Sequence, residues 1–215
     1  MQMTLFWTSL TSIVYLAAAS PVNPLSSDLD KRGSSIIIGF RSVAAAEAQI
    51  YQQNGNFLKY STTGGPAHRI DQLGPGAYLS PSPGEWPAQW ICVVQADSDF
   101  FAGLNKAWVP ETMNNGCTPL WDNVGAPNRP GFLSNVMPGR GFTTSNTMLF
   151  SIIARVNNNP RQMLIPQSLV NSNPQAFKVN CALDQEGLAE REAIYGLAGN
   201  VVDWDTLGIA GVPQP

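Results

Sequence analysis

Ionisable side chains are scarce in this 215-residue sequence: 13% of its residues are charged, and His68 is its one histidine. The 12 basic residues form no stripe with interleaved aromatics, and the net charge is −3, so a nucleic-acid partner is not expected. Cysteine is limited to Cys92, Cys117 and Cys181, with no CxxC pair, and one histidine does not make up a zinc set, so no metal site is expected. No Asn-x-Ser/Thr triplet occurs, which removes N-glycosylation. No repeat of fixed period is present. The apolar run from Leu5 to Ala19 is too short for a confident membrane span.

Glycine and proline, by contrast, are plentiful at 19 and 17 residues, which points to many turns and irregular loops. Hydrophobic content is ordinary at 44%, and the length suits one domain with a real core, without metal or dense disulfides.

The apolar N-terminal run ends in Ala17-Ala18-Ala19-Ser20, small residues that suit a signal peptidase, although no Lys or Arg precedes it. We read residues 1–19 as a signal peptide. A polar segment follows and ends in Lys31-Arg32, a dibasic pair that resembles a Golgi processing site of the fungal secretory type. Residues 20–32 are thus read as a propeptide, and 33–215 as a single α+β domain. Asp28, Asp30, Lys31 and Arg32 cancel, so the mature chain keeps the charge of −3. The expected product is a secreted, extracellular monomer with no membrane association after signal removal. In an oxidising compartment two of the three cysteines pair. Three pairings are open; Cys92 with Cys181 is favoured because it ties the C-terminal part to the core, and Cys117 sits in a Gly/Asn-rich loop.

Along the mature chain, Ile36 to Phe40 reads as a buried strand and Val43 to Gln53 as a helix, with Ser42 as its cap and Asn54-Gly55 as its stop. Residues 57–69 read as a loop. Glu85 to Trp90 and Asp97 to Leu104 read as short helices around the clearest strand, Trp90 to Ala96. Lys106 to Glu111 is a short strand closed by Pro110. Thr112 to Asn146 is loop-like, with room for a functional loop or inserted short helices. Thr147 to Val156 is strand or helix, Gln162 to Pro166 a late strand, and Leu183 to Tyr195 a helix. Short strands alternate irregularly with helices, which favours α+β over a doubly wound sheet.

Three pieces stand in order. The first strand ends Gly39-Phe40-Arg41-Ser42. A turn and strand follow, Gln72-Leu73-Gly74-Pro75-Gly76-Ala77-Tyr78-Leu79-Ser80, whose Gly-Pro-Gly delivers Tyr78 and Ser80 to one strand face. The late strand is Gln162-Met163-Leu164-Ile165-Pro166. This order resembles the ADP-ribosyltransferase superfamily, whose secreted members include toxin-like enzymes.

The resemblance implies a split sheet sandwich with short helices that binds NAD as substrate, and transfers ADP-ribose to a protein target or hydrolyses NAD. It gives Arg41 the pyrophosphate or a ribose oxygen, Tyr78 the nicotinamide face, Ser80 a ribose hydroxyl or Arg41 itself, and Gly76 the nicotinamide amide. Cleavage of the nicotinamide–ribose bond builds positive charge on the sugar, which a fixed carboxylate stabilises. Here the family's glutamate falls on Gln162, a neutral amide. Glu111, at a strand end beside Trp108 and Pro110, is the substitute; Glu190 and Glu192 lie in helical sequence and do not share a face. Phe142-Thr143-Thr144-Ser145 is a second choice for the family's Ser-Thr-Ser strand. The alternative function is a catalytically inactive secreted effector or interaction protein on the same fold. A third reading is a structural or carbohydrate-binding surface protein, for which loop tryptophans such as Trp86 and Trp121 lining an open groove would be the sign.

Overall fold

The computed structural model describes residues 33–61, 71–153 and 158–212. The expected signal peptide and propeptide, and His68, lie outside the described residues.

The first strand, β1 (Ser35–Val43), is longer than its apolar run suggests and takes in Arg41 and Ser42. The helix α1 (Ala45–Gln53) therefore starts later, with Ala44 rather than Ser42 at its N-cap. β2 (Gly76–Leu79) follows the Gly-Pro-Gly turn. Glu85 to Trp90 forms no helix; Pro87 and the preceding Pro83-Gly84 leave bends, and Trp90 opens β3 (Trp90–Asp97). Asp97 ends that strand and caps α2 (Ser98–Gly103), accepting from the backbone N–H groups of Asp99 and Phe100.

The chain continues through β4 (Asn105–Trp108), the hairpin strands β5 (Thr112–Met113) and β6 (Thr118–Pro119), and the helices α3 (Asp122–Gly125) and α4 (Arg129–Val136). β7 (Thr147–Ile152), β8 (Arg161–Pro166) and α5 (Gln167–Ser172) come next. β9 (Phe177–Leu183) and α6 (Ala189–Tyr195) complete the regular elements; the residues after Leu183 turn before that helix begins.

The strands form two main sheets. One is antiparallel in the order β1-β3-β9; the other runs β2-β8-β7-β4. β4 and β7 are parallel neighbours. A parallel pair needs a crossover, and the long irregular stretch between them is that crossover, with β5, β6, α3 and α4 on it. The arrangement is α+β.

The largest apolar cluster lies between the sheets: Ile38, Val43, Cys92 and Val94 meet Ala77, Leu79, Met148, Phe150, Met163 and Ile165. Helix α1 adds Ala48 and Tyr51 to it. The outer face of the four-stranded sheet, with Ala107, Leu149 and Leu164, is covered by Leu120, Trp121, Leu133 and Phe142. The outer face of the other sheet, with Phe40, Ile91 and Val93, is covered by Ile194 of α6. Cys92 and Cys181 stand directly opposite in the β3–β9 ladder and are joined by a disulfide; Cys117 is free and exposed. No helix among the described residues is long and apolar enough to cross a membrane.

Candidate functional site

The three sequence pieces fall on strands that touch. β2 pairs antiparallel with β8, with Gly76 opposite Pro166 and Leu79 opposite Met163. At its other end Ser80 exchanges both backbone hydrogen bonds with Phe40 of β1, at 2.8 Å each, so the two sheets meet at this corner. Adjacency of strands does not bring the side chains together, however. The register of β1 shifts between Ile37 and Gly39. Beyond that bulge Phe40 joins the outer cluster and Val43 the inner one. Arg41 alternates with Phe40 and so turns inward, toward α1.

Arg41 is buried there, and Nη2 donates to Oε1 of Glu47 at 2.5 Å. The Tyr51 hydroxyl donates to the same oxygen at 2.7 Å. Burial works against the Arg41 charge, but Tyr51 and Glu47 outweigh it and raise the pKa on balance. Arg41 reaches Tyr78 only at its backbone carbonyl, over 3.4 Å from Nη1. The Tyr78 ring packs on the opposite face of the sheet, against the outer cluster. Its hydroxyl accepts from Leu73 N–H at 2.8 Å and donates to Gly74 O at 2.9 Å, which ties down the Gly-Pro-Gly turn. Burial raises the pKa of that hydroxyl.

The turn itself dictates its glycines. Gly74 has φ of 112°, and a Cβ on Gly76 would run into the carbonyl of Ile165. Gly76 thus serves strand packing. Ser80 Oγ donates to Ser82 O at 2.5 Å. Gln162 is buried in the four-stranded sheet, and its Nε2 donates to Ser151 Oγ at 3.0 Å. Gln72 donates to the same hydroxyl at 3.1 Å and to Ile152 O at 2.7 Å. Glu111 is exposed just before β5, and its backbone carbonyl accepts from Leu120 N–H. Of the loop tryptophans, Trp121 is buried with Nε1 on Val109 O, and Trp86 is half-buried.

A concave site does exist beside the Gly-Pro-Gly turn. A cavity of about 420 Å³ is lined by Leu73, Gly74 and Pro75, by Ala126 and Arg129, by Thr144 and Ser145, and by Leu164, Pro166, Gln167, Ser168 and Asn171. None of Arg41, Gly76, Tyr78, Ser80, Glu111 and Gln162 lines it. The second-choice motif does, through Thr144 and Ser145. Sequence reasoning missed Arg129; the signal available was Arg129-Pro130, a proline in the first turn of α4. Among the described residues no group of three or more His, Cys, Asp or Glu is placed to hold a metal ion.

Residues 71–212 match the model of a family of unknown function, DUF5910. No curated protein matches the chain.

Proposed function

The chain belongs to DUF5910, and from that premise we propose that it is a secreted interaction protein on an ADP-ribosyltransferase-like scaffold that does not turn over NAD. One observation carries the reading: Gln162 stands where the resemblance expects a carboxylate, and its amide is buried on Ser151. A neutral group in that position offers little to the charge that develops when the nicotinamide bond breaks. The guanidinium of Arg41, engaged by Glu47, supports the same reading. Secretion is supported by the leader-like residues 1–19 and by the Cys92–Cys181 disulfide.

A second reading, an NAD-binding transferase or hydrolase, is favoured by the contact of β1, β2 and β8, which carry in order the three pieces that resemble the ADP-ribosyltransferase motifs. Calorimetric titration of NAD into the chain from Gly33, with free nicotinamide assayed in the same sample, separates the two. The expected result is no nicotinamide above the protein-free blank. Nicotinamide release overturns the non-catalytic reading, and Glu111 is then the carboxylate to replace first.

A further inference from the structure

The cavity beside the Gly-Pro-Gly turn has one charged group in its lining, Arg129. Arg129 is 5% exposed. All three of its hydrogen bonds leave from Nη1, to the backbone carbonyls of Leu120, Asp122 and Gln72 at 2.8, 3.0 and 3.2 Å. Those bonds fix the guanidinium but do not neutralise it. Nη2 lies on the Gly74 side, where a Cβ on that residue would meet it at 3.6 Å. Among the described residues neither Nη2 nor Nε has a hydrogen-bond partner, and no carboxylate forms an ion pair with Arg129. The Asp122 carboxylate acts on it only through its field.

A buried cation is stable only when something answers its charge. The rest of the lining supplies no acid. It supplies hydroxyls from Thr144 and Ser145 and amides from Gln167 and Asn171, over an apolar floor of Leu73 and Leu164. The Ser168 hydroxyl donates to Ser145 O at 2.6 Å, which holds the two sides of the rim at a fixed spacing. A rigid fork of N–H donors next to hydroxyl and amide donors, in a cavity of small-molecule size, is the chemistry that recognises an oxyanion.

We propose that this cavity is a binding site for a small organic anion, held through a carboxylate or phosphate group by Arg129 and the surrounding hydroxyls and amides. The site lies at the Gly76–Pro166 end of the β2–β8 pair, whereas Gln162 and Ser80 belong to the other end. The proposal therefore does not rest on the reading of Gln162 or Arg41.

The test is isothermal titration of the chain from Gly33 with inorganic phosphate and, separately, with citrate, which tells a phosphate ligand from a carboxylate one. Saturable binding of one of them is expected below about 10 mM, a weak-affinity range for a fragment of the true ligand. Arg129→Gln removes the charge, but Arg129 also holds three backbone carbonyls, so a second variant is needed. Asn171→Asp places a negative charge on the exposed rim and should weaken binding by at least about tenfold, as expected for like charges at close range. Asn135→Asp, on exposed α4 surface outside the cavity, adds the same charge and should leave affinity within about threefold. No saturable binding of either anion, or equal effects of the two Asp variants, overturns the proposal.

Discussion

The residue with most to say about function is Arg41, because its surroundings fix what it can do. Its charge is buried and answered by Glu47, and its Nε is buried without a partner among the described residues. A buried ion pair adds little net stability, but breaking it from one side leaves an uncompensated charge in the core. Glu47→Gln should therefore lower unfolding free energy by about 3–5 kcal/mol in a urea titration. Pairing that change with Arg41→Met removes the stranded charge and should recover a large part of the loss. If Arg41 instead had ready access to water, the single change would cost about 1 kcal/mol or less. That outcome would return Arg41 to consideration as a ligand-binding side chain.

At the scale of elements, the strands were more legible than the faces they present. β3 reads directly from its apolar run, and β2 and β8 from the Gly-Pro-Gly turn and the proline that closes the late strand. The helices α3 and α4 were hidden, because their sequence is rich in Asn, Pro and Gly and their apolar residues answer to the sheet beneath. The need for them is topological: β4 and β7 are parallel, and nothing local in either strand announces that. The bulge in β1 was also invisible. An alternating pattern read straight through Ile37 to Gly39 would assign the wrong face to everything beyond it, and Arg41 lies two residues past that point. This is why the order of the motifs could be read while the meeting of Arg41 and the Tyr78 ring could not. The cysteine pairing was favoured on a general argument, and the ladder gives it a specific one, since Cys92 and Cys181 face each other across β3 and β9. A crosslink spanning 89 residues of sequence restricts the unfolded chain strongly. Replacing both cysteines with alanine should lower stability by about 2–5 kcal/mol. The same loss should follow reduction of the native chain, measured by thermal unfolding with and without dithiothreitol.

For the whole molecule, the deciding feature is how the sheet edges are closed. An open edge invites pairing with another chain. Here β9 is flanked by the segment around Phe57, through Leu58 N–H to Phe177 O and Val179 N–H to Asn56 O. β1 is flanked on one stretch by Ser80 and on another by the C-terminal tail, where Val202 N–H reaches Ile37 O. The same tail then crosses to the other sheet. Its Ala210 donates to Lys106 O and accepts from Trp108 N–H on the edge strand β4. Between these points Trp204 enters the shared core with Nε1 on Ile38 O, its ring edge-on to Phe150, and Asp205 pairs with Arg161. The tail is thus a strap that joins the two sheets and covers an edge of each. Trp204→Ala empties the middle of that strap and should cost about 3–5 kcal/mol in chemical denaturation. Truncation after Gly199 should do something the point change does not. It uncovers the β4 edge, so the shortened chain should associate with rising concentration in light scattering, while the Trp204 variant stays monomeric. A truncated chain that remains monomeric and as stable as the Trp204 variant would mean that the core contact alone, and not edge closure, is what the tail contributes.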